Sequence, residues 1–154
     1  MKFRLVWVGS NSDTEFREGV ERYFNRIKHF FPIEIAEVKP EKGHQNAPKA
    51  IREESKRLLG AIPKRGTTIV VDERGVAWSS LKFGKWLEEL TSREPNGITF
   101  VLGGDAGMSD EVREAADLVL SLSAMTLPHQ LARVVLLEQI YRACTLMRNV
   151  TYHK

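Results

Sequence analysis

Three segments of this chain are predominantly apolar or β-branched without strict alternation: Phe3 to Val8, Thr67 to Asp72, and Ile98 to Leu102. A strand that is apolar on both sides must be covered on both sides, which is the condition of strands inside a parallel sheet. Segments of helical spacing separate the strands. Phe16, Val20, Tyr23, Phe24 and Ile27 recur on one helical face, and Leu87 and Leu90 mark another. Ile33, Ile35 and Val38 read as a further strand, and Leu118 to Leu122 as the last one. Strands alternating with helices predict an α/β fold, with a mostly parallel sheet and helices on both faces. No internal repeat, low-complexity stretch or linker divides residues 1–154, so a single domain is expected.

Local signals place the ends of these elements. Ser12-Asp13-Thr14-Glu15 has the form of a capping box at a helix start. Lys39 to Ala47 reads as a polar loop. Pro48 suits the first turn of the next helix and Gly60 its end. Ser79 or Ser80 opens a third helix and Ser109 caps a short fourth one. Gln130 to Asn149 is the longest helix, followed by the tail Thr151-Tyr152-His153-Lys154.

Of the 154 residues, 42% are hydrophobic, which is enough for a proper core. No run approaches the ~18 apolar residues of a membrane helix. The start, Met1-Lys2-Phe3-Arg4-Leu5, enters a strand pattern without the apolar segment and cleavage site of a signal peptide. Cys144 is the single cysteine, so no intrachain disulfide forms and no Cys-rich metal site is expected. Together these features predict a cytoplasmic protein. Net charge is +3 and pI about 9.1. The basic residues favour the first half of the chain, a distribution that fits an RNA footprint or an ordinary solvated surface.

Ligands of open α/β sheets bind beyond the carboxyl ends of the strands. Three such ends stand out: Val71 to Gly75, Gly103-Gly104-Asp105-Ala106-Gly107, and Ser121 to His129. The glycine segment reads either as a tight turn or as a place where backbone approaches a ligand. It has neither the dinucleotide fingerprint nor a phosphate-binding loop. The third segment keeps Leu122, Ala124, Met125 and Leu127 in a connection that should be polar. It is either buried against the body or wrapped around a flat apolar ligand such as adenine. His129 is a packing residue or a proton-transfer group. His153, beside Tyr152 and Lys154, belongs to a frayed terminus or to a nucleotide clamp.

The last helix is apolar on much more than one stripe, from Leu131 through Val135 and Ile140 to Met147. Either it is a central core helix or it forms a dimer interface. Glu138 and Arg142, four residues apart on one face, are an ordinary ion pair or site residues.

The string Phe100 to Gly107, the string Leu120 to His129, the string Arg133 to Ala143 and the ending Tyr152-His153-Lys154 together resemble the ribosomal RNA large-subunit methyltransferase H family, a minimal branch of the SPOUT superfamily. Ser-Leu-Ser-x-x-Thr-Leu-x-His and Glu-Gln-x-Tyr-Arg-Ala are its specific motifs, and the likeness extends to the start, Lys2 to Gly9. Asp105-Ala106 departs from the Pro-Glu common in that family.

The resemblance implies a trefoil knot in the C-terminal segment, which sequence physics alone would not suggest. It implies S-adenosylmethionine as methyl donor, with no metal, held by Val71, Gly103, Gly104, Leu122, Ser123, Ala124, Met125, Thr126, Leu127 and Pro128. It implies transfer to ring nitrogen 3 of a pseudouridine in helix 69 of 23S rRNA, on assembled ribosomes, by a homodimer joined through the C-terminal helix. The chemistry needs a base oriented, an imide proton removed and an anion stabilised. His129, Arg142, Tyr152 and His153 are the candidate catalytic residues. The rival readings are a SPOUT enzyme acting on transfer RNA, a non-enzymatic ribosome-binding module, and an α/β enzyme with a nucleotide cofactor.

Overall fold

The computed structural model describes residues 1–11, 15–42 and 47–152. In chain order the elements are β1 (Phe3–Val8), α1 (Arg17–Lys28), β2 (Ile33–Val38), α2 (Ala47–Ala61), β3 (Thr67–Ala77), α3 (Ser80–Arg93), β4 (Ile98–Leu102), α4 (Asp110–Glu114), β5 (Leu118–Ser121) and α5 (His129–Met147). The sheet runs β2-β1-β4-β3-β5, and every adjacent pair is parallel. Its order places β4 between β1 and β3, so the carboxyl ends of β3, β4 and β5 lie side by side.

The predominantly apolar runs are explained by two cores, one on each face. Phe3, Leu5 and Trp7 of β1 point into the first, with Ile98 and Phe100 of β4 and Ile69 of β3. Val6 and Val8, with Val70 and Val101, point into the second. Helices α1, α3 and α5 cover the first face through Val20, Ile27, Phe83, Leu87 and Leu136. Leu58 of α2 and Val112 of α4 cover the other.

Several details of the elements differ from the sequence expectation, among them the last strand, which ends at Ser121 rather than Leu122, and the last helix, which starts at His129 rather than Gln130. The third strand does not stop at Asp72 but resumes pairing at Val76, opposite Leu120, after residues 72–75 bow out of the ladder. Gly75 makes this possible. A Cβ there would lie 2.5 Å from the Val119 carbonyl carbon and oxygen, so only glycine lets the backbones pass so close. Ser79 caps α3 as expected, its hydroxyl accepting from the Lys82 amide at 3.1 Å. Ser109 occupies the first position before α4 without a side-chain cap; its own amide instead donates to the Ser55 hydroxyl at 2.9 Å. Helix α5 ends at Met147 rather than Asn149, because Asn149 turns to a φ of +50° and the chain folds back with Val150 donating to the Thr145 carbonyl. Ser12 to Thr14 of the expected capping box lie outside the described residues.

Helix α5 lies between α1 and α3, and Leu136, Leu137, Ile140, Tyr141, Ala143 and Cys144 are buried within this chain. The core-helix alternative therefore accounts for most of its apolar surface. Leu146 and Val150 at its far end remain about half exposed.

Candidate active site

The three strand ends singled out above converge on one cleft of about 640 Å³. Its floor is the turn Leu102 to Met108 after β4. One wall is Val71 to Arg74, the excursion of β3. The other is formed by Leu122, Ser123 and Met125 to His129, which lead from β5 into α5. The apolar residues of this last segment are thus neither simply buried nor loose: Leu122 and Leu127 are half-buried against the cleft while Met125 is 78% exposed at its rim. Ala124 alone of the proposed donor-binding set does not line the cleft. The walls are tied by a hydrogen bond from the Thr126 hydroxyl to the Glu73 carboxylate, 2.7 Å.

The glycine turn is held by a pair of bridging contacts between Gly104 and Gly107, with the Gly107 amide donating to the Gly104 carbonyl at 3.1 Å. Gly107 has a φ of +91°, a conformation that L side chains avoid, and open space stands where its Cβ would be. Backbone is thereby presented to the cleft without side-chain cover.

Sequence reasoning missed Arg113, which reaches the cleft from α4. Its guanidinium donates to Asp110 at 2.6 Å, to Asp72 at 3.0 Å and to the Met108 carbonyl at 3.1 Å. The bond to Asp110 chiefly raises its pKa above the ordinary arginine value and lowers that of Asp110. The sequence signal was the acidic end of β3, whose Asp72 pairs with Arg113 across 41 residues, a separation that leaves no spacing to read.

His129 is brought to the cleft as the first residue of α5. Its Nδ1 lies 2.6 Å from an Asp105 carboxylate oxygen, but off the line of a ring N–H, so this buried nitrogen has a charged neighbour and no hydrogen bond. Arg142 and Tyr152 are not brought to the same cleft. Thirteen residues of helix separate His129 from Arg142, about 20 Å at 1.5 Å per residue. Instead they assemble around Glu138, whose Oε1 accepts from the Arg142 guanidinium at 2.6 Å and from the Tyr152 hydroxyl at 2.6 Å. The Arg142 guanidinium sits 4.1 Å from the centre of the Tyr152 ring. Burial, reinforced by Glu138, raises the Tyr152 pKa, so this hydroxyl is a donor rather than a base. The bond to Glu138 raises that of Arg142. The cluster pins the tail to α5. His153 lies outside the described residues.

With this geometry in place, the likenesses to known proteins are decisive. A family model described as a predicted SPOUT methyltransferase matches residues 1–153. The chain belongs to the SPOUT methyltransferase family. Among its relatives is "Ribosomal RNA large subunit methyltransferase H" of Trichlorobacter lovleyi, 40% identical over 153 residues and covering 99% of each chain. A protein of the same name from Citrifermentans bemidjiense is 42% identical over 154 residues, again covering 99% of both. Solved structures share the fold at lower identity. A structure described as a "Probable Methyltransferase from Bordetella pertussis Tohama I" superposes with a TM-score of 0.58 at 15% identity, covering 93% of this chain and 94% of its own. A Legionella pneumophila protein described as a "putative methyltransferase", solved "in complex with the bound cofactor SAM", gives 0.52 at 15% identity, covering 93% and 66%. Membership of SPOUT, a knotted fold family, accords with the trefoil expected from the resemblance.

Proposed function

We propose that this SPOUT protein transfers a methyl group from S-adenosylmethionine to large-subunit ribosomal RNA, at ring nitrogen 3 of a pseudouridine in helix 69 of 23S rRNA, on the assembled ribosome. The observation that carries the reading is the convergence of three strand ends on one cleft, where a bare glycine turn and the apolar Leu122 and Leu127 stand beside charged side chains. Its volume falls in the usual range of small-molecule sites, and the full-length relatives are named as methyltransferases of this RNA.

The residues present suit the donor. Leu122 and Leu127 offer an apolar surface for a flat base, and Val71, Gly103, Gly104, Ser123 and Met125 to Pro128 line the cleft around it. When bound, the donor supplies an electrophilic methyl group. The protein's part is to orient the acceptor and manage a proton. His129, at the mouth of the cleft, is the group placed to take it. Arg142 and Tyr152, gathered around Glu138, act at the cleft of a partner protomer in this reading, and His153, next to them in sequence, is assigned with them. The exposed Leu146 and Val150 then belong to the homodimer contact. A cytoplasmic site of action and a single catalytic domain accompany the reading. Among the described residues, no helix is long and apolar enough to cross a membrane.

The test is methyl transfer offered whole ribosomes, naked ribosomal RNA and transfer RNA, with the modified base mapped. Methylation of the helix 69 pseudouridine in ribosomes is the expected result. Methylation of transfer RNA alone, or no donor binding by calorimetry, overturns it.

A further inference from the structure

A second cavity of about 420 Å³ adjoins the cleft and shares with it Gly104, Asp105, Ala106 and His129. Its other walls are the end of β1 and the first turns of α2. Two of its side chains are charged and almost fully buried: Arg133, 1% exposed, and Glu54, 5% exposed.

Arg133 follows His129 by one helical turn. Its terminal nitrogens donate to the Val8 carbonyl and, at 2.8 Å, to the Asn11 side chain, and the guanidinium stacks 4.8 Å from the centre of the Trp7 ring. Its Nε has no hydrogen-bond partner, and among the described residues no carboxylate lies within ion-pair distance. Burial draws its pKa down to about 10, which still leaves it a cation at neutral pH. Glu54 accepts from the Glu41 amide through Oε2 at 3.1 Å. Its Oε1 accepts no hydrogen bond among the described residues, and lies so close to Gly104 that a Cβ there would come within 3.3 Å. A buried donor left without a partner, as the Arg133 Nε is, is costly unless a ligand completes it.

Resting on the methyl-transfer reading above, we propose that this second cavity is the subsite for the acceptor base, in which Arg133 faces a ring carbonyl and Glu54 takes the ring N–H that is not methylated. The two side chains then discriminate between bases. A pseudouridine, joined to its sugar through carbon, carries two ring N–H groups; a uridine in RNA carries one. With the reacting nitrogen turned toward the donor cleft, only the carbon-linked base has a proton left for Glu54. At the reacting nitrogen the N–H bond breaks toward His129, the nitrogen pair forms the bond to the methyl carbon, and the carbon–sulfur pair returns to sulfur. Arg133 offsets the negative charge on the ring carbonyl meanwhile.

The experiment titrates donor-free protein with pseudouridine 5′-monophosphate and uridine 5′-monophosphate, following the amide resonances of Gly104 and Gln130 beside the second cavity and of Val71 and Thr126 in the cleft. Wild type should bind the pseudouridine nucleotide about tenfold more tightly, since a site built to bond an N–H rejects the analogue lacking it. Glu54→Ala should bring the two to parity, and Arg133→Lys should weaken both several-fold. S-adenosylmethionine binding by calorimetry verifies that each variant is folded. Equal affinities in wild type, shifts confined to Val71 and Thr126, or no shift with either nucleotide overturns the subsite. If wild type fails to bind S-adenosylmethionine, the methyl-transfer reading itself falls; if it methylates ribosomes while Gly104 and Gln130 stay unmoved, only the subsite does.

Discussion

Cys144 is fully buried in α5, and burial pushes its thiol up to about 12. Because the neutral form is favoured in the fold, this contribution to stability is complete below the unfolded thiol pKa and disappears as pH rises through 12. At pH 8 the native protein should therefore resist iodoacetamide, and urea should expose the thiol to rapid alkylation; equal labelling rates would contradict the burial. His129 offers the sharper functional test. Its replacement by alanine should leave S-adenosylmethionine affinity within about twofold while lowering methyl transfer by roughly 10² to 10⁴, the range of a lost acid–base group. Calorimetry alongside a single-turnover methylation assay would separate the two effects, and unimpaired turnover would remove His129 from the reaction. Arg142 shows why residue type alone is an uncertain guide. Its motif is specific, yet within this protomer its charge is engaged by Glu138 and Tyr152 rather than aimed at the cleft.

Elements carry their own prediction at the β3 excursion. Substituting Gly75 with alanine forces a Cβ into the backbone of Val119 and should destabilise the fold by about 1–3 kcal/mol, read as a lower urea midpoint. It should also displace Glu73, and with it the bond to Thr126 that joins the cleft walls. A midpoint unchanged from wild type would mean that the two strands separate freely. The same segment marks where the sequence stopped being legible. Strand cores such as Ile98–Leu102 could be read from composition because burial on both faces demands it. The resumption of pairing at Val76 could not, since register after a four-residue excursion is fixed by contact with β5, not by local preference. The cleft was readable because strand ends announce it. Arg113, Glu54 and the second cavity were not, because each depends on contacts between segments far apart in the chain. The burial of α5 was also hidden: apolar residues on many faces are demanded equally by a neighbouring helix and by a second subunit.

At the scale of the whole molecule, the exposed apolar end of α5 bears on assembly. Val150→Asp should shift sedimentation from dimer toward monomer and lower methyl transfer, while S-adenosylmethionine binding persists; a wild-type monomer at micromolar concentration would set the homodimer aside. The interior position of β4 has a different consequence, one for the order of events as the chain emerges during synthesis. β1 and β2 can pair early, but β3 appears with neither neighbour made and stays without a strand on either edge until residues 98–121 follow. For that interval the nascent chain carries an apolar ribbon with open edges, which makes prompt translation of the last third, or a chaperone's cover, a condition of reaching the native sheet at all.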